Sequence, residues 1–190
     1  DRSNLVAIGD SALFNNGIDA SLQSHSTRNT AVGSKAMYSN TIGRSNIALG
    51  YESMKSNIGG SLNTAIGCSS LNDNTEGDNN TVLGYIAAFS NTTGDNNIAL
   101  GSMSLYSNKT GSNNVAIGRH AGFNTLGSGN IFIGHEAGLN ESGSNKLYIS
   151  NSSSATPLIY GDFSSNILSL NGDVAIGSTF ADGYKLSVEG

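Results

Sequence analysis

The sequence predicts an all-β fold: a parallel β-solenoid, or β-roll, of about eight coils with 17-residue repeats, followed by a short non-repeat β region. Three observations carry this. One phrase recurs as NTAVG, NIALG, NTAIG, NTVLG, NIALG, NVAIG and NIFIG. Its closing glycines Gly33, Gly50, Gly67, Gly84, Gly101 and Gly118 stand 17 residues apart at every step. A unit of 17 residues is also too short for two antiparallel helices, which need about 30. Gly9 and Gly134 extend the series with steps of 24 (33 − 9) and 16 (134 − 118), so the first coil carries a seven-residue insertion around Ile18 to Gln23.

Within a coil the elements follow in order. The residue before the glycine is always a large aliphatic, from Ile8 and Val32 through Leu83 to Ile133. Two residues earlier stands a β-branched residue, from Val6 and Thr30 to Ile131. Positions two apart share one face of a strand, so the two columns form one stripe, which this reading takes as the core. On it, Leu83→Asp would bury an unpaired charge. Between the columns lie Ala7, Ala31, Ala48, Ala65, Val82, Ala99, Ala116 and Phe132, expected to form a second face closely packed by a neighbouring chain.

After the glycine a second short strand is expected, with small residues such as Ala36, Ser53 and Ser70 and a larger residue within two positions. An Asn (Asn40, Asn57, Asn74, Asn91, Asn108, Asn124, Asn140) and a Gly (Gly43, Gly60, Gly77) then mark a turn with positive φ. Four residues before each closing glycine stand Asn29, Asn46, Asn63, Asn80, Asn97, Asn114 and Asn130. Stacked about 4.8 Å apart, they form a structural ladder whose side-chain amides bond to the next rung. The solenoid domain spans residues 1–144 and the C-terminal β region 145–190. In the latter, NKLYIS, PLIYGDF, NILSL, DVAIG and YKLSVEG read as strands, with Asn171-Gly172 as a hairpin signal. Pro157 falls outside the repeats.

Composition excludes several classes. Hydrophobic residues make up 37% of the 190, charged residues 12% and aromatics 7%, with no Trp, so a large globular core is not on offer. A net charge of −5 and no Lys/Arg cluster argue against a nucleic-acid partner. No apolar run reaches 18 residues, so no membrane insertion is expected in this sequence, which reads as a piece of a longer chain. Cys68 has no internal partner and reads as a tolerated small residue after a repeat glycine.

The chemistry-bearing residues point away from an enzyme. Asp78 and Asp95 are 17 apart, which brings their carboxyls within roughly 5 Å on adjacent coils, the spacing of a retaining glycosidase pair. Both sit in solvated GDNN turns without an apolar pocket, so catalysis is not expected, and a weak cation site is the nearer alternative. His120 and His135 lie on consecutive coils one column out of register and read as surface histidines. No metal or other cofactor is expected.

The NTAIG and NIALG phrases, each followed by a small-residue segment and an NxxG turn, resemble the head repeats of trimeric autotransporter adhesins and the related repeats of phage-type and bacterial tail-fibre proteins. The resemblance runs from residue 4 to about 145. It implies left-handed parallel β-rolls packed side by side as a homotrimer, which would also cover an otherwise exposed apolar strip. The 17-residue coil departs from the shorter adhesin repeat. The tail DVAIGSTFADGYKLSVEG is similar to the segment that precedes a C-terminal intramolecular chaperone in tail-fibre-type proteins. The expected function is a structural and adhesive module of an extracellular trimeric fibre, on a cell surface, virion or injection device, that spaces or displays a receptor-binding end. The alternative is that its lateral face itself binds a cell-surface glycan or protein receptor, with Tyr38, Phe89 and Tyr106 as the candidate ligand-facing residues, a column interrupted by Lys55 and Asn72.

Overall fold

The structure, a computed structural model, describes residues 4–18, 21 and 26–173. Among these there is no helix, and eleven strands lie in one sheet in chain order. The first eight are three residues long: β1 Val6–Ile8, β2 Thr30–Val32, β3 Ile47–Leu49, β4 Thr64–Ile66, β5 Thr81–Leu83, β6 Ile98–Leu100, β7 Val115–Ile117 and β8 Ile131–Ile133. All pair in parallel with equivalent residues opposed, as in Ala31↔Ala48 and Ala48↔Ala65. This is a parallel β-solenoid in which eight rungs are joined by seven turns of the chain. The seven-residue insertion falls largely on residues outside those described.

Which strand face is inside is the reverse of the expectation. The middle residues Ala31, Ala48, Ala65, Val82, Ala99, Ala116 and Phe132 are fully buried, whereas Leu83 is 49% exposed and Ile8 60%. The aliphatic stripe is therefore the outer surface, and the Ala column is core from Ala31 to Phe132, with Ala7 exposed at the end of the stack. The cause is the width of the coil. Across the interior from each strand come the third and fourth residues after the closing glycine, such as Ser53 with Met54 and Ser70 with Leu71, all buried. Two walls this close admit one small side chain from the strand, and their volumes trade off at native packing density. Ala48 and Ala65 share their coils with Met54 and Leu71, while Val82 shares its coil with Ala87 and Ala88. Phe132 needs glycine opposite: a Cβ on Gly122 would lie 2.6 Å from its ring, and one on Gly138 would also strike it.

The segment after the glycine is not a second strand. Residues 51–56 and their counterparts are turns, with Glu52 and Met54 in the left-handed region at φ 53° and 51°. Such non-glycine residues cost of order 1 kcal/mol each. Coil-to-coil bonds offset the strain: Glu52 N–H donates to Ser34 O at 2.9 Å and Met54 N–H to Ser70 O at 3.0 Å. Asn79, Asn96 and Asn113 occupy a further positive-φ slot, at φ 57–61°, a conformation Asn tolerates well. The glycine of the NxxG turn is not there for positive φ. Gly77 is there for space, since a Cβ would sit 2.5 Å from both Asn74 Oδ1 and Gly94 O.

The stack continues past residue 144. β9, Lys146–Ile149, pairs in parallel on β8 with Ile131↔Leu147. Direction then reverses, with β10 Ile159–Asp162 and β11 Ile167–Leu170 both antiparallel. The expected strands DVAIG and YKLSVEG, and with them the second arm of the Asn171-Gly172 hairpin, lie outside the described residues.

Candidate functional site

Two internal ladders account for the buried asparagines other than Asn72, whose Nδ2 donates to Glu52 O at 2.9 Å. In the first, the contact between rungs is made by the backbone: Asn46 N–H donates to Asn29 Oδ1, Asn63 N–H to Asn46 Oδ1 and Asn97 N–H to Asn80 Oδ1, each at 2.9 Å. Asn80, Asn114 and Asn130 repeat the bond at 2.8–3.0 Å. The side-chain amide mainly stays within its coil, Asn46 Nδ2 donating to Gly60 O at 2.8 Å. The second ladder runs through the Asn of the NxxG turn. Asn57 Nδ2 donates to Asn40 Oδ1 at 2.7 Å, and Asn74 Nδ2 to Asn57 Oδ1 at 2.8 Å. Sequence reasoning read these residues only as turn formers. Their signal was the same 17-residue spacing that marked the first ladder.

This second ladder stops at Asn108, whose Oδ1 is the one buried side-chain polar atom among the described residues with no partner. The next slot, 17 residues on, holds Thr125, which is fully buried, and not the expected Asn124. Thr125 Oγ1 donates onward to Glu141 O at 2.9 Å and so offers nothing to Asn108. Asn124 points outward and bonds Asn140 Oδ1 at 3.0 Å. Counted from Gly118, Asn124 stands one position before the slot, and only because the turn after Thr125 is one residue shorter does it keep the NxxG spacing to Gly127. Thr125→Asn is therefore expected to add a rung and raise stability by about 0.5–1.5 kcal/mol. A lower urea midpoint for this variant would refute the register.

A third column, on the surface, consumes the paired aspartates. Ser61 N–H donates to Asp78 Oδ1 at 2.6 Å and Asp78 N–H to Asp95 Oδ1 at 2.7 Å. Ser112, Ser128 and Ser144 hydroxyls continue the same pattern. The carboxylates thus cap amides of the preceding coil. His120 Nε2 lies 3.1 Å from Met103 Sδ, and both His120 and His135 face Glu136 Oε1, at 3.8 and 3.6 Å. Among the described residues no group of three or more His, Cys, Asp and Glu is arranged to hold a metal ion. Nor does any helix there have the length and apolarity to cross a membrane.

The aromatic column forms two stacks. Tyr38 lies on Phe14 with ring centroids 5.3 Å apart and planes 3° from parallel. Tyr106 is sandwiched between Phe89 at 5.6 Å and Phe123 at 5.0 Å. Lys55 and Asn72 separate the two groups. Both faces of Tyr106 are covered by its neighbours, at about 0.5–1.5 kcal/mol per stacked pair.

The outer strand face is left uncovered. Ile8, Ile47, Leu83, Ile98, Ile117 and Ile133 are 37–60% exposed along one side of the sheet, with Tyr51 and Tyr85 exposed beside them. Each such side chain retains roughly 1–2 kcal/mol of unrealised burial free energy.

At the far end, β9 and β10 are tied by Lys146 Nζ to Asp162 Oδ2 at 2.7 Å. That charged bond holds the Asp162 carboxyl below its ordinary pKa, against some desolvation and with help from the Ser164 and Ser165 amides. It raises Lys146, again against desolvation. The Asp162 contribution is present above the unfolded carboxylate value and lost as pH falls through the folded one. The Lys146 contribution is present below the unfolded ammonium value and lost as pH rises through the folded one. Amide protection in β10, corrected for intrinsic exchange, should therefore fall below about pH 4 and above about pH 10.5. The backbone amides of the buried Asn ladder, such as those of Asn63 and Asn97, should not follow, because among the described residues every buried polar side chain is Asn, Ser or Thr and the ionised contacts of the coils, such as Lys55 with Glu52, lie at the surface. Ladder-amide protection that fell in parallel with β10 would contradict this.

Compared with family profiles, curated proteins and solved structures, the chain matches none.

Proposed function

We propose that the chain is a structural and adhesive module of an extracellular trimeric fibre, a tail fibre or surface adhesin, that spaces or displays a receptor-binding end. The observation that carries this reading is the exposed aliphatic strip on the outer strand face, repeated rung after rung. Soluble monomers rarely expose a continuous apolar patch of this kind. Eight rungs spaced about 4.8 Å apart make it some 35 Å long. Copies laid side by side in axial register would meet strip to strip, and three around one axis close without leaving a strip free. The choice of three follows the resemblance of the repeats to trimeric adhesin heads and tail fibres. The closely packed Ala face, expected to contact a neighbour, is internal and takes no part.

The stacked aromatics do not favour the alternative, a lateral receptor-binding surface. A sugar needs an open ring face with polar groups beside it, and the rings of this column largely cover one another. Sedimentation equilibrium on the 190-residue chain tests the proposal: a mass three times 19.5 kDa is expected. A well-folded monomer at micromolar concentration would refute it.

A further inference from the structure

Where the parallel stack gives way to antiparallel strands, the segment 150–158 arches from β9 to β10, and its Ala155, Thr156 and Pro157 border a cleft of about 290 Å³. This is at the small end of ligand clefts, which run roughly 300–1,000 Å³. Its walls are the rings of Tyr148 and Tyr160, with Thr156, Ser169 and Asn171 around them. A second hollow of about 160 Å³ adjoins it, shares Tyr148 and Ala155, and adds Glu141, Ser153 and Ser154.

The aromatic wall is held in place before any ligand arrives. Tyr148 is fixed between Phe132, at 5.9 Å, and Tyr160, which meets it edge-on at 5.3 Å. Its hydroxyl donates to Glu141 Oε2 at 2.7 Å, and Glu141 Oε1 accepts the Gly143 N–H at 2.7 Å. Desolvation and that carboxylate push the phenol well above its ordinary pKa, so it remains a neutral donor. The arch is set by Thr156 N–H donating to Ser154 Oγ at 3.0 Å. Asn171 spends its Nδ2 on Pro157 O at 2.7 Å, which leaves Oδ1 as its acceptor. The Tyr148 ring and the Asn171 amide are thus ordered before binding.

The lining selects the ligand. Aromatic rings beside hydroxyl and amide groups suit a molecule with a C–H face and hydroxyl edges, which is a pyranose. Among the described residues the only charged side chain lining the two hollows is the Glu141 carboxylate. Nearby Lys146 is committed to Asp162. An anionic ligand would thus meet a negative charge and no cation. We infer that the cleft between Tyr148, Tyr160 and the 150–158 arch is a binding site for a neutral saccharide.

Saturation-transfer NMR on the full 190-residue chain tests it, with methyl glycosides of glucose, galactose, mannose and N-acetylglucosamine as probes and the methyl glycoside of N-acetylneuraminic acid as the anionic comparison. At least one neutral glycoside should bind saturably, with its ring C–H protons receiving most saturation, and the anionic one at least tenfold more weakly. Tyr160→Ala should weaken binding tenfold or more. Because that ring packs on Tyr148, Thr156→Arg provides a second variant, which fills the cleft mouth from an exposed position. Three results would each overturn the inference: no saturable binding of any neutral glycoside, binding within twofold of the parent in Thr156→Arg, or loss of binding in Tyr106→Ala alone, which would place the sugar on the aromatic column.

Discussion

Leu83→Asp is expected to take the proposed trimer apart into folded single chains. The side chain points outward from β5 and is half exposed in the isolated solenoid, so an aspartate there is solvated and costs the coil little. Against the strip of a neighbouring chain the same carboxylate would be pressed into aliphatic side chains without a partner, at a cost of several kcal/mol. The mass should fall to that of one chain while the far-ultraviolet circular dichroism stays within a few per cent of the parent. Ala99→Asp provides the contrast, since Ala99 is fully buried one column inward and its replacement should unfold the surrounding coils. Were Leu83→Asp to unfold as Ala99→Asp does, or to remain fully associated, the outward assignment or the proposed contact face would fall.

Gly84→Ala is expected to cost about 3–6 kcal/mol, among the largest effects a single methyl group can have here. Gly84 has φ +147°, a region that is essentially glycine-only. The added Cβ would also stand 2.5 Å from Gly101 O and 2.6 Å from Gly101 C, backbone atoms held by the next rung. Neither can move without breaking the ladder. At Gly59 an added Cβ meets only the flexible Glu76 side chain, so Gly59→Ala should be nearly neutral. Urea unfolding at one fixed chain concentration measures both. Equal midpoints for the two variants would show that rung spacing is not what the closing glycine protects.

The repeat, the strand phrase and the glycine column were legible because each depends only on the chain's own period and on backbone geometry. The inner face was not. Alternation by two says that Leu83 and Val82 point oppositely, but not which way, and size misled because the larger residue looked like core. The deciding information sat on the opposite wall, in the exchange of Phe132 against Gly122 and Gly138 and of Val82 against Ala87 and Ala88. Counting small residues across the coil would have found it. Asn124 was misplaced because a deleted turn residue leaves an Asn one position from where Thr125 fills the slot. The interruption of the aromatic column by Lys55 and Asn72 could be read directly, whereas its face-to-face stacking needed coordinates. The saccharide cleft joins residues from 148 to 171 across a change of strand direction, and no period points to it.

The axial bonds of the coils have a bearing on how such a molecule acquires its size. Each Asn ladder bond, such as Asn63 to Asn46 or Asn74 to Asn57, connects a residue to its counterpart on the adjacent coil and no further. No contact in the middle of the stack carries information about how many rungs lie above or below. A tandem duplication of one 17-residue segment would therefore insert without rearranging anything else, lengthening the rod by about 4.8 Å. The chain is in this sense a ruler graduated in its own gene, and its reach can be reset by slippage of the coding sequence alone.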